Sequence, residues 1–472
     1  IADGDWSSDV CSSDLVGSVV DGLRMGCTGS IVEGNVIGRD ANGTVVGNGR
    51  DGIYIPSIPD DTANITLGGT TSDAANVIAG SGRNGITLEK ADVTGNIQWP
   101  DPVTIRRNRI TESEQVGIDL DDSIAEDINN DNLVDGETPN DPNDDDADAP
   151  NNLQNFPEFS RFEYDAEANT VTVDVTVDTD PTNATYPLTV EWYRTGPFGQ
   201  AEAYLGSATI TEADAQTLQT ETFPPQAEVA RQDFVVATVT TADGRTSEFN
   251  PLEQTVTVAG SAPDTYAFDY LEIRVDAIGP DNGTAPLTVR NELRDPENGP
   301  PSGTALAIAG SWTPRSSGSV VLDQLCLPLD NLINDPAEVN ESALTVYSRA
   351  AADEAWTARS TQLETIDGGD YVCGSGPLDD EYIVAADPSD LPVEFVAFDA
   401  APSADGVQLT WTTTAETNNA GFAVERRSDG TAFTEIAFVE GTGTTEQSQA
   451  YRFTDDAVPY AARTLTYRLK QV

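Results

Sequence analysis

The sequence predicts an all-β chain in which a parallel β-helix is followed by tandem β-sandwich domains. Three observations carry this reading. A phrase of glycine, apolar, any, apolar returns at Gly22-Leu23-Arg24-Met25, Gly52-Ile53-Tyr54-Ile55, Gly85-Ile86-Thr87-Leu88 and Gly117-Ile118-Asp119-Leu120, with starts spaced by 30, 33 and 32 residues. A fixed period of this size marks a stack of repeated units, each too small to bury its own apolar face. A second phrase keeps step with the first, at Asn35-Val36-Ile37-Gly38, Asn76-Val77-Ile78-Ala79 and Asn108-Arg109-Ile110-Thr111. Beyond residue 156 the pattern changes to strict alternation, as in Asn169–Val177, the mark of a half-buried strand.

Taken in order, residues 5–15 read Asp-Trp-Ser-Ser-Asp-Val-Cys-Ser-Ser-Asp-Leu. They lack any apolar period, and the string resembles a translated sequencing adapter, so 1–15 are set apart as foreign to the fold. Residues 16–156 are the β-helix. Apolar residues two apart share one face of a short strand, and the Gly and Asn residues between them supply turns. Asn35, Asn76 and Asn108 open equivalent phrases and are expected to stack and satisfy backbone groups. Cys27, in one of these repeats, is expected to be a small buried side chain.

Residues 157–260 carry alternating strands at Asn169–Val177, Leu188–Tyr193 and Phe234–Thr240, the spacing of an antiparallel sandwich. Residues 261–391 read as a second sandwich, with strands near Ala343–Ser348 and Glu381–Ala385. Cys326 and Cys373 fall in this segment, where a disulfide is one of two open outcomes. Residues 392–472 form a last module in which Trp411 and Phe422 are core positions. It stops on the alternating run Arg463–Val472 with no turn after it, so the chain is expected to be a fragment of a longer protein.

Composition narrows the function classes. The 472 residues hold 80 Asp+Glu against 24 Lys+Arg, a net charge of −56, with no histidine. Such a surface repels phosphates, which argues against a nucleic-acid partner. Self-repulsion at low salt and its screening at high salt fit a saline environment, as in halophilic bacteria. No apolar run reaches the length of a membrane-spanning helix.

The strongest chemical signal lies between Asp119 and Asp148, with 13 acidic residues and no Lys or Arg. Within it, Asp127, Asn129, Asp131, Leu133 (through its carbonyl) and Asp135 occupy positions 1, 3, 5, 7 and 9 of a calcium-type loop, whose alternate oxygens converge on one Ca²⁺. Asn132 replaces the usual glycine at position 6, and Thr138 stands where a bidentate Glu is usual. A solvated acidic loop is the equal alternative. The neighbouring run Asn140–Asp148 is expected to be solvated and extended, with a second ion as its alternative. The absence of histidine removes relay chemistry of the Ser-His type. Asp119, Asp121 and Asp122 could act as paired carboxylates, although a structural role is expected. Arg106 and Arg107 could hold an anionic sugar or form ordinary ion pairs.

The phrases Glu33–Thr44, Leu67–Gly80 and Asn152-Leu-Gln-Asn-Phe-Pro157 resemble a family of bacterial right-handed parallel β-helix repeat proteins. Tyr204-Leu-Gly-Ser207 and Thr246-Ser-Glu-Phe249 resemble the Ig-like module that follows such helices. Leu391–Phe395, Val407–Phe422 and Val424–Arg427 resemble the fibronectin type III-like module of type IX secretion substrates. The resemblance implies a secreted or cell-surface protein. The expected role is a non-enzymatic, monomeric scaffold or adhesin-like protein with an extracellular polysaccharide or cell-surface glycan as partner. The alternative is a polysaccharide lyase or hydrolase of β-helix type whose catalytic coils are missing. A purely structural spacer is the third reading.

Overall fold

The computed structural model describes residues 14–15, 17–40, 43–56, 63–92, 97–121, 137–166, 168–196, 199–229, 233–281, 283–293, 296, 298–308, 310–329, 341–378, 380–386, 395–403, 406–413, 416–428, 434–445, 449–455 and 465–471. The chain is all-β. Its only described helices are short 3-10 turns, and among the described residues no helix is long and apolar enough to cross a membrane. It divides into two compact units. The first comprises 1–295, 310–327 and 376–381; the second comprises 296–309, 328–375 and 382–472.

In the first unit the chain visits three parallel sheets in fixed rotation. One holds Leu23–Arg24, Ile53–Ile55, Ile86–Glu89 and Ile118–Asp121; a second holds Ile31–Val32, Ile65–Gly68 and Val103–Arg106; a third holds Asp14–Leu15, Val36–Ile37, Val77–Ala79 and Arg109–Thr111. Asp14–Leu15, set apart on sequence grounds, thus pair with Val36–Ile37. Register keeps like on like: Leu23, Ile53, Ile86 and Ile118 align, as do Ile37, Ile78 and Ile110. Ile53, Ile86, Ile118, Ile37, Ile78 and Ile110 are buried, while Leu23 in the first of these rungs is half-buried, and this burial is the favourable term that drives such stacking.

The repeated glycine has a steric cause. A Cβ on Gly52 would stand 2.3 Å from Ile78 Cγ2 and 2.7 Å from the Gly85 carbonyl oxygen; on Gly85 it would stand 2.3 Å from Ile110 Cγ2 and 2.5 Å from the Gly117 oxygen. The phrase therefore records where one rung's backbone passes against the next. The asparagines do what their stacking predicts. Asn108 Oδ1 accepts from the Asn76 backbone N–H at 3.0 Å and its Nδ2 at 2.9 Å, and Asn76 Oδ1 accepts from the Asn35 N–H at 3.0 Å. Nδ2 of Asn76 and Asn108 donate to the carbonyls of Val32 and Leu67. Cys27 departs from expectation. It lies exposed as a free thiol, because it sits in the turn between Met25 and Ile31, outside any inward-facing pair.

After the rungs, Glu158–Asp165, Thr170–Thr176 and Gln219–Phe223 form one antiparallel sheet, and Ala201–Ile210, Leu188–Thr195 and Val235–Thr240 another. Val171, Val173 and Val175 are buried while their neighbours are half-exposed. Trp192 stacks on Phe223 at 4.8 Å. Further antiparallel pairs follow at Glu253–Ala259 with Thr284–Glu292 and at Asp264–Phe268 with Ile273–Ile278.

The second unit holds the hairpin Thr361–Ile366 with Gly369–Gly374 and two three-stranded antiparallel sheets near its end. These are Phe395–Ser403, Gly406–Thr413 and Gln449–Asp455, and Thr434–Thr445, Glu416–Ser428 and Leu465–Gln471. Leu409, Trp411, Phe422 and Val424 form their buried cluster, with Trp411 edge-on to Phe422 at 5.5 Å, as the sequence anticipates for these two aromatics. Cys373 of this unit is fully buried and disulfide-bonded, as is Cys326, which belongs to the first unit.

Candidate functional site

Backbone hydrogen bonds join the stacked rungs in both senses. Some N–H groups donate to carbonyls of the next rung, Gly22 to Asp51 at 2.8 Å, Ile53 to Gly85 at 2.9 Å and Ile86 to Gly117 at 2.9 Å, and others donate back to the preceding one, Val77 to Asn35 and Arg109 to Asn76, both at 2.8 Å. The last described rung therefore presents N–H groups on its outer edge, and leaving them buried and unpaired would be costly.

Side-chain oxygens from the segments that follow receive them. Asn151 Oδ1 accepts from Val103 N at 2.7 Å, Thr246 Oγ1 from Ile105 N at 2.9 Å, and Glu191 Oε2 from Arg107 N at 3.0 Å. Gln200 Oε1 accepts from Ser113 N at 3.0 Å, and Glu248 Oε1 from Leu120 N at 2.7 Å. At the glycine position of this rung, the Phe249 ring fills the space that the next rung fills elsewhere; a Cβ on Gly117 would meet it at 2.8 Å.

Arg106 and Arg107 belong to this junction. Arg106 Nε and Nη2 both donate to Oε1 of the buried Glu191, at 3.1 and 2.8 Å. Arg107 lies over the Tyr204 ring at 3.9 Å and donates to the Thr70 carbonyl and to Gln226. Of the two uses weighed for these arginines, the structure shows internal pairing. Where Gly117 meets Phe249 and Gln200, a cleft of ≈ 240 Å³ is also lined by Gln115, Glu137, Arg290 and Glu292. Burial opposes the Arg290 charge, and Glu137 and Glu292 more than offset it, so its pKa is raised.

The outward face of the Leu23–Arg24, Ile53–Ile55, Ile86–Glu89 and Ile118–Asp121 sheet carries a polar column. Asp51, fully buried, accepts from Arg83 Nε at 2.8 Å and from Arg83 Nη2, from Thr87 Oγ1 at 3.1 Å and from Asn84 N at 3.2 Å. Asn84 Nδ2 donates onward to Asp119 Oδ2 at 2.6 Å. Asp119 and Asp121 stand two apart on this face and are buried; Asp121 aligns with Glu89. At the other end of the column, Asp21 is buried near Arg24 and Arg50, and burial, then the Asp51 charge, raises its pKa. Arg24 covers the Tyr54 ring at 4.5 Å.

The five calcium-loop positions Asp127, Asn129, Asp131, Leu133 and Asp135, and also Asp122, lie outside the described residues. Among the described residues no group of three or more His, Cys, Asp or Glu side chains could hold a metal ion.

The run Asn140–Asp148 is not uniformly solvated. Asp144 turns inward and is buried, its Oδ1 accepting from Asn155 N at 2.9 Å and its Oδ2 from Gln154 Nε2 at 2.7 Å and Thr179 Oγ1 at 3.0 Å. Protein donors thus occupy both oxygens, which favours neither the solvated run nor a second ion at this carboxylate. Burial pushes its carboxyl up to about 7, against those three hydrogen bonds. Sequence reasoning missed this cluster, although Gln154 lies within the singled-out phrase Asn152–Pro157. Nothing in a string of aspartates says which one faces inward.

No protein-family model matches the chain, and no curated protein matches it.

Proposed function

We propose that the chain is a non-enzymatic, secreted or cell-surface scaffold of adhesin-like type. In this reading 16–156 is a right-handed parallel β-helix, 157–260 an Ig-like sandwich, 261–391 a second sandwich, and 392–472 a fibronectin type III-like module as in type IX secretion substrates. The observation that carries it is the capped last rung. Five backbone N–H groups and two arginines are committed to side chains of the following segments, which suits a rigid, load-transmitting joint. The polar column points the same way, because the Asp51 carboxylate is saturated by internal donors and cannot be reached by substrate. An extracellular polysaccharide or cell-surface glycan is the partner class, bound by a monomer. Ca²⁺ held through Asp127, Asn129, Asp131, Leu133 and Asp135 would stiffen the loop between the last rung and the joint.

The test is binding of the full chain to a panel of neutral and acidic polysaccharides, with a parallel assay for new reducing ends and unsaturated products. Binding without product is the expected result. A second reading, polysaccharide lyase or hydrolase, is favoured by one feature, the partly exposed Arg24 beside the buried Asp21 on the same face. Product formation abolished by Arg24→Ala would replace the scaffold reading with it. Neither binding nor product would leave a spacer.

A further inference from the structure

Gln154, Thr179 and Asp144 form a closed triangle of a carboxamide, a hydroxyl and a carboxyl. Thr179 Oγ1 lies 2.9 Å from Gln154 Nε2 and 3.0 Å from Asp144 Oδ2, and Gln154 Nε2 lies 2.7 Å from the same Asp144 oxygen. All three side chains are buried, with residue exposures of 4%, 0% and 5% in that order. The amide orientation is fixed by its neighbours, since the acceptor-only carboxylate and the Asn155 carbonyl both face the nitrogen.

The surroundings hold the triangle still. Asn151, Asn152 and Leu153 all adopt left-handed φ, at 46°, 51° and 48°, a run that non-glycine residues take up only when surrounding contacts dictate it. It delivers Gln154 into the interior. On the other side, Tyr186 Oη donates to the Thr179 carbonyl at 2.6 Å, and Asn155 Nδ2 donates to the Asp178 carbonyl at 2.6 Å.

The geometry points to an intramolecular ester cross-link between Thr179 and Gln154, formed autocatalytically with Asp144 as the acid–base residue. Asp144 takes the Oγ1 proton, and Oγ1 adds to Gln154 Cδ. The tetrahedral centre collapses with cleavage of the C–N bond, and Asp144 passes the proton to the departing nitrogen. One C–O bond forms, one C–N bond breaks and one ammonia leaves, with no oxidant or cofactor. One oxygen of Asp144 touches both the attacking and the leaving atom, the arrangement that acyl transfer needs from a single shuttle. A carboxyl that titrates near neutrality can serve as base and then acid. Water, the competing nucleophile, is excluded by burial. The bond would tie the connector after the rungs to the end of strand Thr170–Thr176, at the base of its hairpin with Glu158–Asp165. This inference rests on the triangle alone and stands apart from the scaffold reading.

The test is peptide mapping of the purified full chain after reduction and tryptic digestion. No Lys or Arg lies between Arg109 and Arg161, or between Arg161 and Arg194, so Gln154 and Thr179 fall in separate peptides, 110–161 and 162–194. The expected result is a covalently linked pair lighter than its two parts by one ammonia, present in wild type and Thr179→Ser and absent in Thr179→Val. Separate peptides with the Gln154 carboxamide intact or hydrolysed to Glu, in folded wild-type protein, would overturn the inference. The wild-type map decides even if a variant fails to fold.

Discussion

Removing the Asn151 side chain is the most discriminating perturbation of the joint. Asn151 is fully buried; its Oδ1 accepts from Val103 N at 2.7 Å, and its Nδ2 donates to the carbonyls of Val103 and Thr246, both at 2.8 Å. Asn151→Ala deletes three hydrogen bonds at about 1 kcal/mol each and leaves a buried N–H unpaired. It also puts alanine at φ 46°, which costs about 1 kcal/mol more. The expected loss is therefore about 4 kcal/mol, localised to the last rung. Asn151→Gly tolerates the backbone and lacks the side chain, so it should lose about 1 kcal/mol less than alanine does. Hydrogen exchange of the Val103–Arg106 strand reads the effect where it arises, whereas a global melt of a two-unit chain would not be a single transition. Unchanged protection of the Val103 amide in Asn151→Ala, or a loss under about 1 kcal/mol, would refute the capping argument.

Gly85→Ala should destabilise the rungs by about 1–3 kcal/mol through overpacking against Ile110, measured by urea unfolding; a neutral outcome would mean that the rungs can separate freely. Asp144 gives a pH signature: its folded carboxyl at about 7 lies above its usual 3.8, so the stability it contributes is full below about pH 4 and is lost as pH rises through 7. Burial also raises the pKa of the neighbouring Asp141, and burial pushes Tyr186 up to about 12; Asp144→Asn should flatten stability against pH in that window, seen in melts at stepped pH. Trp411→Ala should cost the second unit about 3–5 kcal/mol, read by its own denaturation transition. A melt with Ca²⁺ and with chelator, at low and high NaCl, should show a calcium-specific rise; a response to NaCl alone would make the acidic loop a salt adaptation.

The parallel rungs were legible because their cause is local and repeated. A glycine that must let the next backbone pass, and an asparagine that must cap its neighbour, recur at each turn. Trp411 and Phe422 were legible for a similar reason, as large apolar residues on alternating strands. Cys27 was misplaced because a phrase-level reading assigns every residue of a repeat to its interior, and turns break that assumption. The capping residues Asn151, Glu191, Gln200, Thr246 and Glu248 could not be read. They are scattered over about a hundred positions and share only an acceptor oxygen, and it is tertiary folding that brings them to one row. Asp144 stayed hidden among like neighbours, since charge composition predicts solvation and only packing selects the exception.

Because parallel strands exchange hydrogen bonds in both senses, the edge that the last rung offers carries carbonyls as well as N–H groups. A side-chain amide can answer both at once. Asn151 accepts from the Val103 N–H and donates to the Val103 carbonyl, and Gln200 does the same at Ser113. A carboxylate supplies only the accepting half of that exchange, so an acid in place of either amide would set its charge against a carbonyl oxygen.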